Sequence, residues 1–545
     1  MRLFPMNAGQ ARTLLAQAGA ALVASALIAG CGNNYRPVVT PINPSGPAAQ
    51  PTSYVVVVST TSPTTPGVAT IIDYSGDTVM AEAPIGPGPI TFTIDELGAN
   101  AYTLNSDGTI SNFSVSTSLQ AKYIYVSTLP PTAEPVNLMA PAQGLWASDL
   151  SGNVADLFTG APEDFKLAVP VGNGGVAVTM PMFITGSPTL NGQREYAVSQ
   201  DVPDTSPMAC NDSPKTVGVN GVVTPIEIAN NSADAPIGLD YFNQDNTPAG
   251  TLNAQCPVFA IQSPDLRRLF VLNRGSDTIS VINSQNNGLD ECVCPPTGCL
   301  NQNAQAYFCH PMLPLSLTAV SALNAASTTA IPPAGGPPNG TVGMSAIAGP
   351  VYGEYNQATQ QLVVANYDGG SISVIDVSLD EYGNDSPTFG TTYTIPVGNT
   401  PTPNPASVTV LYDGSKAYTA NQNDGTSNGT VTVVNLRTHT VEKTLTVVGH
   451  PRTVVSTQNS EYSKIYAASP DSPYLTIIES TPTETDQVDT TVLVEGNVVD
   501  VRVTTENGSS GANSNYSSRV PGYGQPCNLP GASQTVSLAA CMSIQ

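Results

Sequence analysis

Four asparagines, Asn105, Asn273, Asn366 and Asn421, recur at one position, where an apolar run of about five residues meets a polar turn. As a functional set they could form a ring of amides around the mouth of a channel. As a structural set they would bond their own turns and tolerate unusual dihedrals there, and recurrence in every well-formed repeat favours this second role. Asp73, Asp376 and Glu479, with Asn283 and Asn435 at the matching position, close the following apolar run. One carboxylate per repeat does not build a calcium site, so these read as turn initiators. Asp368 and Asp424, in the hairpin loops, are freer to hold a ligand, and with Asn273, Asn366 and Asn421 they make up the candidate ligand face. The three histidines, His310, His439 and His450, stand in unrelated contexts. No Ser/His/Asp grouping, nucleophile elbow, P-loop or dinucleotide fingerprint is present. The expectation is therefore no catalytic set, no metal and no cofactor. Trp146, the single tryptophan, occupies an apolar strand position and is expected in the core.

These residues sit in a chain with few charges and many turn formers. Of 545 residues only 11% are charged, while 47 are glycine and 48 proline. That composition suits short strands with frequent turns. A hydrophobic fraction of 40% argues against disorder throughout. The net charge of −24 repels phosphate backbones and anionic headgroups, and no Lys/Arg stripe offsets it. Nucleic acid is excluded as a partner on that ground.

The N-terminus reads as a processing signal. Arg2 and Arg12 precede an apolar stretch from Leu14 to Gly30 that ends Leu27-Ile28-Ala29-Gly30-Cys31. This resembles a bacterial lipobox, which implies acylation of Cys31 and a stable hold on a membrane. Residues 32–53, rich in Pro, Ser and Ala, read as a tether. The expected compartment is the bacterial cell envelope, on its periplasmic or outer surface. Eight further cysteines remain: Cys210, Cys256, Cys292, Cys294, Cys299, Cys309, Cys527 and Cys541. An even number in an exported chain suggests disulfides. The four from Cys292 to Cys309, next to His310, could instead bind zinc, but their spacing fits neither paired C-x-x-C hooks nor haem attachment, and two local disulfides are the better reading.

From Tyr54 a unit of apolar strand, polar turn and apolar strand repeats eight times. The units open at Tyr54, Ala101, Leu145, Tyr196, Leu269, Leu362, Tyr418 and Ile465. Many are preceded by a Gly/Pro turn and an alternating strand, as in Gly398-Asn-Thr-Pro through Ala406-Ser-Val-Thr-Val, and followed by a fourth strand such as Val441-Glu-Lys-Thr-Leu. Four short antiparallel strands per repeat describe the blade of a β-propeller. The expected fold is thus all-β, a propeller of seven to eight four-stranded blades over residues 54–505. An orphan strand, Asn497-Val-Val-Asp-Val-Arg-Val-Thr-Thr, is placed to complete the first blade and close the ring. Residues 506–545 read as a surface tail pinned through Cys527 and Cys541, and Cys210 and Cys256 fall in loops that share a face. The Cys292–Cys309 cluster follows a third strand and is expected on the opposite face.

Tyr412-Asp-Gly-Ser-Lys-Ala-Tyr-Thr-Ala-Asn, Ser373-Val-Ile-Asp and Pro264-Asp-Leu-Arg-Arg-Leu-Phe-Val-Leu-Asn carry a specific resemblance. They are similar to the blade consensus of the YVTN-repeat β-propeller family, whose members usually have seven blades. With the anchor, this implies a lipoprotein serving as a binding or scaffold module for a protein or envelope polymer. Related propellers that carry lactone-opening or metal-dependent sites at the channel mouth supply the rival, a hydrolase. A third class is an assembly factor resembling the propeller lipoprotein of the outer-membrane barrel-assembly machinery, which works through an apolar patch or a strand edge.

Overall fold

The computed structural model describes residues 53–73, 75–95, 98–115, 125–128, 135–140, 145–149, 154–158, 165–170, 181–186, 194–200, 221–227, 232–239, 254–290, 310–326, 341–380, 385–457, 462–480 and 486–504. Runs such as Val55–Val58, Leu269–Leu272 and Ile372–Ile375 are β-branched and aliphatic, suited to a pleated surface covered on both faces. The described strands form eight antiparallel sheets, and each follows its neighbour round a ring. Every hairpin unit read from the sequence is the second and third strand of one sheet.

Blade 1 consists of Asn497–Val503, Tyr54–Thr60, Pro66–Asp73 and Thr78–Pro87, from the axis outwards. Blade 2 runs from Pro89 to Thr128, blade 3 from Pro135 to Pro170, and blade 4 from Pro181 to Gly238. Blade 5 spans Pro257 to Pro314, blade 6 Pro350 to Pro396, blade 7 Pro405 to Thr446 and blade 8 Thr453 to Leu493. The closing strand is therefore the innermost strand of the first blade, as the orphan segment implies. Val55 faces Val503 and Val57 faces Val501 in register, and the Tyr54 amide donates to Thr504 Oγ1 at 2.7 Å.

Six innermost strands begin with proline: Pro89, Pro135, Pro181, Pro257, Pro350 and Pro405. An innermost strand has one free edge, towards the axis, so a missing N–H costs nothing there. In all six the register slips between the proline and the residue two places on. The bulge turns the following side chain into the seam between blades. Phe183, Phe259 and Tyr352 occupy this position in blades 4, 5 and 6, with ring centroids 4.4 and 4.6 Å apart. The core is accordingly a set of seams between neighbouring blades, and the largest cluster runs mainly from blade 4 to blade 7.

Three features depart from the sequence reading. The cysteine-bearing insertion does not simply follow a third strand. Gly288–Leu289 and Met312–Pro314 both pair with Thr278–Asn283, so the insertion splits the fourth strand of blade 5 and leaves from the rim. After it comes a helix, Leu317–Ala326, for which the sequence reading made no provision. Ser316 caps it, its Oγ accepting the Ala319 amide at 3.1 Å. Thr341–Val342 then adds a parallel fifth strand to the edge of blade 6. Cys31, Cys210, the Cys292–Cys309 set, Cys527 and Cys541, the Pro/Gly run 331–340 and the leader, tether and tail lie outside the described residues. Cys256 is buried at the entry to blade 5.

Candidate functional site

Turns between second and third strands share one face of the ring with the links between blades. The recurrent asparagines end the second strands here, but they do not face outward. Asn421 Nδ2 donates to Thr430 and Thr432 hydroxyls at 3.0 and 2.8 Å, and Asn366 to Ser371 and Ser373 at 3.1 and 2.9 Å. Asn273 reaches Thr278 and Ser280, and Asn105 reaches Thr109 and Ser111, in the same way. All four side chains are buried. Each amide thus clamps its blade's own third strand through side-chain hydroxyls, where turn backbone was the expected partner. Asn105 and Asn421 also accept from Thr103 and Thr419 through Oδ1, whereas Val271 and Val364 stand at that position in blades 5 and 6. The Oδ1 atoms of Asn273 and Asn366 are consequently left buried without a donor.

Asp368 and Asp424, the acids expected to be free for a ligand, are both occupied. Asp368 takes a two-pronged bond from Arg274 of the preceding blade, at 3.1 Å from Nε and 2.9 Å from Nη2. The guanidinium also lies over the Tyr367 ring, 5.4 Å from its centroid. Asp424 accepts the Asn399 and Thr400 amides at 2.7 Å and the Thr430 hydroxyl. Asp471 repeats this in blade 8, holding the His450 amide at 2.8 Å and its ring Nδ1 at 2.5 Å. Burial alone would raise the Asp471 carboxyl, but the bonds from His450 hold it below its ordinary value. The turn acid caps the Gly-x-x-Pro or Gly-x-Pro link that leads into its own blade. Asp424→Ala, which strips two backbone amides of their acceptor, is expected to cost about 2–4 kcal/mol in urea unfolding.

Fixed upon these locked turns is an exposed apolar pair. Leu317 and Ile347 are each 52% exposed. They are held in place by bonds from the Leu317 amide to the Ser345 carbonyl and from Thr318 Oγ1 to the Ala346 carbonyl, at 2.9 and 2.7 Å. The neighbouring turn of blade 6 is glycine by necessity, since a Cβ at Gly369 would stand 2.4 Å from the Ile347 carbonyl oxygen. Two large apolar side chains exposed on segments that are bonded to each other at the loop face are suited to contact with a partner surface.

The opposite face carries a pattern missed in the sequence reading. The second strand opens Lys/Arg-x-Tyr/Phe in four blades: Arg194-Glu-Tyr196, Arg268-Leu-Phe270, Lys416-Ala-Tyr418 and Lys464-Ile-Tyr466. In each, the cation or phenol reaches the next blade. Lys464 Nζ and Tyr466 Oη meet Asp77 across the closing seam at 2.5 and 3.2 Å. Lys416 Nζ and Tyr418 Oη meet Asp486, both at 2.8 Å. Tyr196 Oη contacts Asn287, and Arg268 reaches Asp385. Asp77, Asn287 and His439 share one turn position, just before the fourth strand, with φ of 52°, 50° and 55°. His439 stacks on Tyr393 of blade 6 at 3.8 Å and 10°.

Buried polar groups lacking partners gather in the seam between blades 3 and 4. Trp146 Nε1 and Ser148 Oγ from one side, and both Glu195 oxygens, Ser199 Oγ and Thr224 Oγ1 from the other, have no hydrogen bond. Trp146 is buried as expected. Burial pushes the Glu195 carboxyl well above the usual carboxylate range.

No protein-family model matches the chain, and no curated protein does. Solved structures do. Dihydro-heme d1 dehydrogenase NirN is similar with a TM-score of 0.52 and 13% identity, over 86% of this chain and 78% of that one. A putative 6-phosphogluconolactonase from Bacteroides fragilis gives 0.44 and 13% over 84% and 100%. The periplasmic gluconolactonase PpgL of Pseudomonas aeruginosa gives 0.43 and 13% over 83% and 99%. At these identities the likeness is one of architecture: the chain is a β-propeller.

Proposed function

We propose that this chain is a YVTN-type lipoprotein of the bacterial cell envelope, held by an acylated Cys31, whose ring is a rigid platform for a protein or envelope-polymer partner. The observation that carries the reading is the Leu317–Ile347 pair, about half exposed on a face whose turn acids Asp368 and Asp424 are engaged within the ring. Asp368, Asp424 and Asp471 each have their oxygens engaged by neighbouring chain, which favours a scaffold over a lactonase-like site built from converging acids. The disulfide pairings, including Cys210 with Cys256, belong to the same proposal.

Crosslinking in the native host tests the platform. Leu317→Asp with Ile347→Asp is expected to abolish the crosslinked species while the ring still unfolds cooperatively at an unchanged denaturant midpoint. An undiminished crosslink would rule the face out. Cys31→Ser is expected to move the chain from the membrane to the soluble fraction, and retention on the membrane would refute the anchor.

A further inference from the structure

Where blade 5 meets blade 6 at the rim, four ionisable side chains are buried together, between 5% and 7% exposed. Arg268 Nη2 bridges two carboxylates, Asp290 at 3.2 Å and Asp385 at 3.3 Å. His310 Nδ1 lies 2.7 Å from the other Asp385 oxygen, and its ring stacks on buried Phe389 at 5.0 Å. The carboxyl groups of Asp290 and Asp385 thus converge on a single guanidinium nitrogen. Asp290 Oδ2 and Arg268 Nε have no partner. The cluster has one fixed cation for two acids. Neutrality therefore requires one more proton within the cluster.

The four residues come from three places. Arg268 opens the second strand of blade 5. Asp290 and His310 are the described residues that flank the cysteine-bearing insertion. Asp385 belongs to the connection between third and fourth strands of blade 6. We propose that they form a one-proton latch, closed while the cluster keeps its extra proton and loosened, at the junction of blades 5 and 6 and at the insertion's two ends, when that proton leaves.

Among the described residues, the neighbouring charged groups named below are engaged elsewhere. Arg267 and Asp265, on the same strand and the turn before it, face each other in solvent at 3.9 Å. From blade 4, Arg194 is paired with Glu227 and touches blade 5 only through the Ser284 carbonyl, and Asp234 reaches only Asn287. From blade 6, Asp376 is taken by the amide and hydroxyl of Ser378. Burial, followed by the charge of Asp385, pushes Asp290 up to about 7, against the pull of Arg268 and His310. A carboxyl with a raised folded pKa favours the closed form below its ordinary range and loses that advantage as pH rises through about 7.

Hydrogen exchange on the full chain between about pH 5.5 and 8.5, corrected for intrinsic exchange, tests this. Protection at residues 310–316 and 385–391 is expected to fall by up to about tenfold per pH unit as pH rises towards about 7, and to level off above it. Protection elsewhere in the ring should stay level. Asp290→Asn, which removes the titrating carboxyl, should give a flat profile. A flat wild-type profile, or a step that persists in Asp290→Asn, would overturn the latch. If the variant does not fold, the ring signals of His310 in the wild type decide. Two linked titration steps support the latch, whereas a single unperturbed histidine curve refutes it.

Discussion

Lys416→Met lowers the unfolding free energy by about 3–5 kcal/mol, read as a drop in urea midpoint at unchanged slope. The ammonium is 3% exposed and its partner Asp486 1%, at 2.8 Å. Removing the cation leaves a carboxylate in the seam between blades 7 and 8 that keeps the Tyr418 hydroxyl, while the nearby Lys443 Nζ is engaged by the Asp486 backbone carbonyl at 2.7 Å. The desolvation cost of that charge, rather than the modest net worth of the pair, sets the size of the loss. The double variant Lys416→Met/Asp486→Leu removes both charges and is expected to recover most of the stability. If the single substitution costs under about 1 kcal/mol, the pair behaves as a solvent-screened one and the staple reading fails.

Glu195→Met is expected to act in the opposite direction, stabilising the ring by about 1–3 kcal/mol at neutral pH. Both carboxyl oxygens are buried without a partner, and the side chain lies over Gly186, where a Cβ would come within 2.1 Å of Oε2. Methionine fills similar volume without polar atoms to desolvate. The folded pKa is raised, so the contribution of Glu195 to stability is greatest below the ordinary glutamate range and is lost as pH rises from there. The advantage of Glu195→Met should therefore grow with pH, at up to about 1.4 kcal/mol per unit until the buried group ionises. A destabilised Glu195→Met, or a gap independent of pH, would show that the carboxyl is held by a partner. A native chain that keeps so unfavourable a group beside an unpaired indole N–H and three unpaired hydroxyls marks this seam for functional study.

The architecture was legible because its signals are local. Each hairpin pairs residues close in sequence, so β-branched runs and Gly or Asn turns located all eight, and the spare strand at Asn497 announced closure. The helix Leu317–Ala326 was hidden by its setting beside a Pro/Gly-rich run, although Ala, Leu and a capping Ser316 are ordinary helix signals. The polar residues were harder. Asn421 and its counterparts were placed at the right turn, but their hydroxyl partners lie across it on the third strand. Asp368 and Asp424 looked free because their partners come from another blade or from the link between blades. The Lys/Arg-x-Tyr/Phe spacing was visible in the sequence. Its meaning was not, since the acceptors Asp77, Asn287, Asp385 and Asp486 lie from 68 to 389 residues away.

Closure through the innermost strand of blade 1 also dictates how the molecule can be made. The Tyr54 amide and the Thr504 hydroxyl it bonds are separated by 450 residues, and Ser59 Oγ donates to the Glu495 carbonyl across 436. While the polypeptide is being synthesised, the first sheet must wait as three strands with its inner edge bare until Asn497–Val503 has been made. Such a chain assembles its last seam only once that strand is available, and any truncation before Asn497 yields an arc with two sticky ends.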